Sequence, residues 1–124
     1  MITKEIAIGG KKATLAYCFA TEVGYKYLSD QDITDFFYEA AAAVKSNRMP
    51  DTHKTLLLIC ASITSFYESK GEKAPVTDKD IMYCASPEEL ADALRAITDL
   101  RAQFYRVPAG EPEGNQGSDT KKNA

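Results

Sequence analysis

The stretch IAIGGKKATLAY, Ile6 to Tyr17, decides how the rest of the chain is read. Two glycines, two lysines and a threonine in close order resemble a loop built to hold a phosphate. Such a loop needs wider glycine spacing, a lysine directly before Ser or Thr, and a helix immediately after. Here Ala13 separates Lys12 from Thr14, and the residues that follow alternate. Ile6 and Ile8 alternate with Glu5 and Ala7, and Ala13, Leu15 and Tyr17 alternate with Lys12, Thr14 and Ala16. Side chains two apart share one face of a strand, so each segment has an apolar face and a more polar one. Gly9-Gly10 between them supplies positive φ at both central positions of a type I′ turn without steric cost. The stretch therefore predicts a two-stranded hairpin within residues 1–18, with Lys11 and Lys12 in water at the open end of its second strand.

From Phe19 the period changes to that of a helix. Phe19, Val23 and Tyr27 are four apart, with Ala20, Gly24 and Leu28 beside them, and predict a short helix to about Leu28. Gly24 costs ~1 kcal/mol against alanine in a helix interior, so it marks a close contact or a bend. Ser29-Asp30-Gln31-Asp32 is a run of capping residues that opens a second helix. Its stripe is Ile33, Phe36, Phe37, Ala40, Ala41 and Val44, ending near Asn47 before Pro50. Asp51 caps a third helix whose apolar residues, Leu56 to Ala61 with Ile63, Phe66 and Tyr67, surround most of its circumference. Such a helix belongs in the middle of a domain, and Gly71 suits its left-handed end. Thr77-Asp78-Lys79-Asp80 begins a short fourth helix. Ser86-Pro87-Glu88-Glu89 combines an N-cap serine, a first-turn proline and a capping-box glutamate. It opens a last helix with Leu90, Leu94, Ile97, Leu100 and Phe104 on one side and Glu88, Asp92, Arg95, Asp99 and Arg106 in water. The expected fold is mainly α: one compact domain over residues 1–107, of four to five helices behind the hairpin. Residues 108–124 have no aliphatic residue larger than alanine, so burial cannot offset the ~1–2 kcal/mol per residue that ordering costs; a disordered tail is expected.

Composition bounds the function. The chain has 124 residues, 44% of them hydrophobic and 27% charged, with net charge −3, which is ordinary for one globular domain. A mildly acidic chain without a basic block is unsuited to nucleic acid or to an anionic membrane surface. No apolar run approaches the ~20 residues of a membrane span, and no signal-peptide pattern opens the chain, so a cytoplasmic protein is expected. Cys18, Cys60 and Cys84 read as small core residues in a reducing compartment. The single histidine, His53, lies seven positions from Cys60, ~10 Å along a helix, too far for a Cys–His pair. Glu88-Glu89 and Asp78/Asp80 are explained by helix starts, and Asp30, Asp32 and Asp35 lack the glycine and final glutamate of a calcium loop. No catalytic, cofactor-binding or metal-binding residues are assigned, and an enzyme is not expected. The aromatic load says more: Tyr25, Tyr38 and Tyr105 fall off the apolar stripes and Tyr67 borders one. Tyrosine is enriched at contact surfaces, so these four are the candidate partner-binding residues.

The order of these features resembles the tail assembly chaperones of long-tailed bacteriophages and their prophages. In that family a short G-K-x-x-x-L hairpin leads into a helical region with an L-x-G-x-D-I-x-x-F phrase. Gly10, Lys11 and Leu15 are similar to the first, and Leu28 to Phe36 to the second. The nearly all-apolar helix TLLLICASITSFYESKG, the T-D-K-D-I helix start and the last amphipathic helix extend the likeness over residues 5–106. The resemblance implies a non-enzymatic chaperone that coats the tape-measure protein and helps recruit tail-tube protein around it, without cofactors. It also implies a longer product made by ribosomal frameshifting, for which Lys121-Lys122-Asn123 is a candidate position. A head–tail connector or completion protein is the alternative within the same particle, and a small DNA-binding regulator is a third reading that the acidic charge opposes.

Overall fold

The computed structural model describes residues 1–106, and the readings made for 108–124, including Lys121-Lys122-Asn123, lie outside them. The element order is β1 (Ile2–Ile8), β2 (Lys11–Tyr17), α1 (Phe19–Ser29), α2 (Ile33–Lys45), α3 (Thr52–Ser69), α4 (Asp78–Cys84) and α5 (Pro87–Arg106). This is the mainly helical domain with an N-terminal hairpin that the sequence predicts.

The hairpin closes as the glycines require. Gly9 and Gly10 adopt φ 62 and 78, and the antiparallel register runs from Ile8 opposite Lys11 to Ile2 opposite Tyr17. A Cβ on Gly9 would stand 3.0 Å from the carbonyl oxygen of Asp80, so this glycine also allows α4 to approach the turn. Lys11 is not simply solvated: its Nζ lies 3.3 Å from the Asp80 carboxylate and ties the turn to α4. Glu89 completes the attachment. Its Oε1 accepts from the Ser86 amide at 3.0 Å, as a capping box should, and also from the Gly9 amide at 3.3 Å.

Helix α3 is the central element, packed against β2, α1, α4 and α5. Leu58, Ile59, Ala61, Ser62 and Ile63 are buried around it. Its start is capped by Asp51, which accepts from the Lys54 amide at 2.9 Å. Its end turns at Gly71, φ 68, with the Glu72 amide reaching back to the Tyr67 carbonyl at 2.9 Å. The outer edge of β2 is finished by hydroxyls of α3. Tyr67 accepts from the Thr14 amide at 3.1 Å, and Ser62 both accepts from the Ala16 amide at 3.0 Å and donates to the Ala16 carbonyl at 2.8 Å. Thr21 on α1 donates to the same carbonyl at 3.0 Å and meets Ser65 at 2.9 Å. Four buried polar side chains, Thr21, Thr55, Ser62 and Ser65, are therefore satisfied by backbone or by each other.

Three expectations change. The face that α1 buries is Thr21 and Tyr25, with Gly24 against the Ala61 methyl at 3.5 Å. The Phe19–Val23–Tyr27 row points outward instead. In α2 the buried side is Ile33, Phe36 and Ala43, which leaves Ala41 and Val44 exposed. Cys84 is exposed and Cys18 and Cys60 are half-buried, so the cysteines are not uniformly core residues.

Candidate functional site

The four tyrosines do not form one surface. Tyr25 is fully buried, rings with Phe36 at 5.6 Å, and donates to Gln31 Oε1 at 2.7 Å. It is core, and the sequence reading of it as a partner contact is corrected. Burial pushes its phenol up, which keeps it a donor. Tyr67 is half-buried and spends its hydroxyl on the Thr14 amide. Tyr38 on α2 stands free at 83% exposure, and Tyr105 near the end of α5 is 56% exposed.

Tyr105 belongs to a clamp centred on Glu22. The Glu22 carboxylate accepts from the buried Tyr17 hydroxyl at 2.7 Å and from the Tyr105 hydroxyl in a short bond. Both phenols are pushed up, by burial first and by the adjacent Glu22 second, so both stay protonated and donate. The clamp joins the end of β2, α1 and the end of α5. Arg101 reinforces it from α5, with its guanidinium over the Phe37 ring at 4.8 Å and the Tyr105 ring at 5.6 Å.

The clamp supports a surface that the tyrosine reading missed. Phe19, Val23 and Tyr27 are 65%, 68% and 87% exposed on one side of α1, with Leu28 half in water beside them. Four-residue spacing stacks them along ~12 Å of helix. Phe19 continues the row into α5 by an edge-on contact with Phe104 at 5.1 Å, and Phe104 meets Tyr105 at the same separation. The result is an apolar and aromatic ridge on a helix fixed from behind by Gly24 on Ala61. Scattered apolar exposure is ordinary, whereas these side chains form a contiguous row along one side of the helix. One sequence signal bore on it: Thr21 and Tyr25, at i−3 and i+1, flank Gly24, whose close approach to Ala61 marks the buried side of α1.

His53 is exposed in the first turn of α3, and burial raises the Cys60 thiol to about 11. Among the described residues, no three of the His, Cys, Asp and Glu side chains converge as metal ligands. None of the described helices is long and apolar enough to cross a membrane.

Fold and surface together define a mainly helical domain with an N-terminal hairpin and an apolar ridge along its first helix. Set against protein-family models, curated proteins and solved structures, the chain finds no match in any of the three.

Proposed function

We propose that this protein is an assembly chaperone for the tail of a long-tailed bacteriophage, acting by binding rather than catalysis in the cytoplasm of the bacterial host. Its client is the helix-rich tape-measure protein, which it holds while tail-tube protein is recruited. The ridge of Phe19, Val23 and Tyr27 carries the reading, because exposed apolar side chains at helical spacing match the apolar face of a client helix. The phrase from Leu28 to Phe36 adds support. Counted along L-x-G-x-D-I-x-x-F, Asp30 stands at the glycine, and it adopts φ 60, the left-handed conformation that glycine favours. Tyr38 and Tyr105 extend the exposed aromatic surface.

The test is co-expression with a tape-measure protein from the same genome. The native chain should raise the soluble fraction of that protein, and a Val23→Lys/Tyr27→Lys variant should not. Both positions are exposed, so the variant should keep its stability within ~0.5 kcal/mol. A tape-measure protein no more soluble with the native chain than without it would end the proposal.

A further inference from the structure

The two edges of the hairpin are treated differently. The β2 edge is closed by Tyr67 and Ser62 at Thr14 and Ala16. In the antiparallel register Thr14 pairs with Glu5 and Ala16 with Thr3, so the matching amides and carbonyls of Thr3, Glu5 and Ala7 point away from β2. All three residues are exposed, and no described residue pairs with these groups. The open edge ends at the turn, where Glu89 Oε1 holds the Gly9 amide at 3.3 Å.

The charges along this edge are unpaired and mixed in sign. Lys4, Glu5 and Lys12 form no ion pair among the described residues, and the Glu89 carboxylate bonds only the Gly9 and Ser86 amides. A cleft of about 460 Å³ between β1 and α5 is lined by Lys4, Glu89, Asp92, Arg95 and Asp99, with Arg95 bonded to Asp92 at 2.8 Å. Such a field does not select a segment of one sign. It selects a strand with the same mixture in the right register, and β1 itself is such a strand.

A slip of one residue turns the faces of a strand over, so the competing registers of β1 against a second β1 differ by two. Centred on Glu5, the antiparallel pair sets Glu5 opposite Glu5. Centred on Lys4, it sets Lys4 opposite Lys4. Like charges directly opposite disfavour both. Centred on Ile6, it sets Ile6 opposite Ile6 as a close apolar pair, and Glu5 exchanges both main-chain bonds with the partner's Ala7. Both faces are then matched in charge. Across the partner's Ala7 on β2 stands the partner's Lys12. Glu5 and that lysine are two strand spacings apart, ~10 Å, with only the Ala7 methyl between them, so their side chains meet over it. On the α5 face Lys4 stands opposite the partner's Ile8, beside Gly9, whose amide holds the Glu89 carboxylate. The twofold axis repeats each pair.

We infer that β1 is the contact edge of a symmetric dimer of this chain. The two hairpins join antiparallel about Ile6 into one sheet ordered β2–β1–β1–β2. Glu5 with the partner's Lys12, and Lys4 with the partner's Glu89, fix the register. The edge is separate from the α1 ridge, and the inference does not rest on the phage reading.

Sedimentation velocity and NMR of the full-length chain from ~10 μM to ~1 mM test it, a range suited to a small interface. The mass should rise from monomer to dimer, and the amides of Glu5 and Ala7 should shift and gain exchange protection with it. Glu5→Lys alone, or Lys12→Glu alone, should weaken the dimer about tenfold, because the axis doubles each like-charge contact. Glu5→Lys/Lys12→Glu together should restore it. Both positions are exposed, so the variants keep the fold. A chain still monomeric at the highest concentration, a dimer whose shifts fall on α1 instead of β1, or a double exchange that fails to restore the dimer would overturn the inference.

Discussion

Ser62 holds the junction of sheet and helices, and its removal gives a number that can be checked. Ser62→Ala deletes one hydroxyl from a fully buried site. The Ala16 carbonyl keeps a partner, because Thr21 donates to it at 3.0 Å. The Ala16 amide has no second acceptor among the described residues, and Ala16 is itself fully buried, so water cannot replace the lost oxygen. An orphaned buried donor costs ~1–3 kcal/mol. Alanine returns about 0.5 kcal/mol as the better helix former. The net loss is about 1.5 kcal/mol, or a fall in Tm of ~6–12 °C for a domain of this size. Tyr67→Phe removes the matching acceptor from Thr14, but both residues are half-buried and water can reach the amide. Its loss should stay under ~1 kcal/mol. Urea and thermal unfolding followed by circular dichroism measure both. A Ser62→Ala variant within ~0.5 kcal/mol of the native chain, or a Tyr67→Phe variant at least as damaged, would refute the edge-closing role given to α3.

Three further outcomes are expected. Gly9→Ala should destabilise more than Gly10→Ala in urea unfolding: both have positive φ, but only Gly9 would drive a Cβ to 3.0 Å from the Asp80 carbonyl, while Gly10 faces open space. The Asp80 carboxyl is held below its ordinary 3.8 by the Thr77 amide first and Lys11 second. A carboxylate depressed in the folded state stabilises above its unfolded value and loses that contribution as pH falls through the folded one. The urea midpoint should therefore drop on acidification below about pH 3.8 more steeply in the native chain than in Asp80→Asn. Finally, iodoacetamide at pH 8 with mass spectrometry should label exposed Cys84 in the folded protein, whereas Cys60, its thiol raised to about 11 by burial, should react only on unfolding.

Local chemistry was legible wherever a residue type has one use. Gly9-Gly10 could only be a turn of positive φ, and Ser86-Pro87-Glu88-Glu89 gave the start of α5 before any contact was known. The breadth of the apolar surface on α3 announced its central place. What failed was the choice of face on α1. Phe19, Val23 and Tyr27 are the most apolar row, so periodicity alone sent them inward and Tyr25 outward. The structure reverses this because Thr21 and Tyr25 find partners for their hydroxyls inside, at Ala16, Ser65 and Gln31. Those partners come from β2, α3 and the α1–α2 connection, and no window of local sequence contains them all. The same limit hid the ridge and the Glu22 clamp, since each depends on which neighbours other elements supply.

Under the proposed chaperone role, α1 presents its apolar row to a client. Amide hydrogen exchange of this chain with and without the tape-measure protein tests it most directly. Slowed exchange centred on residues 19–28, and lost in Val23→Lys/Tyr27→Lys, is the predicted result. A stable complex that leaves α1 exchanging as in the free protein would contradict it.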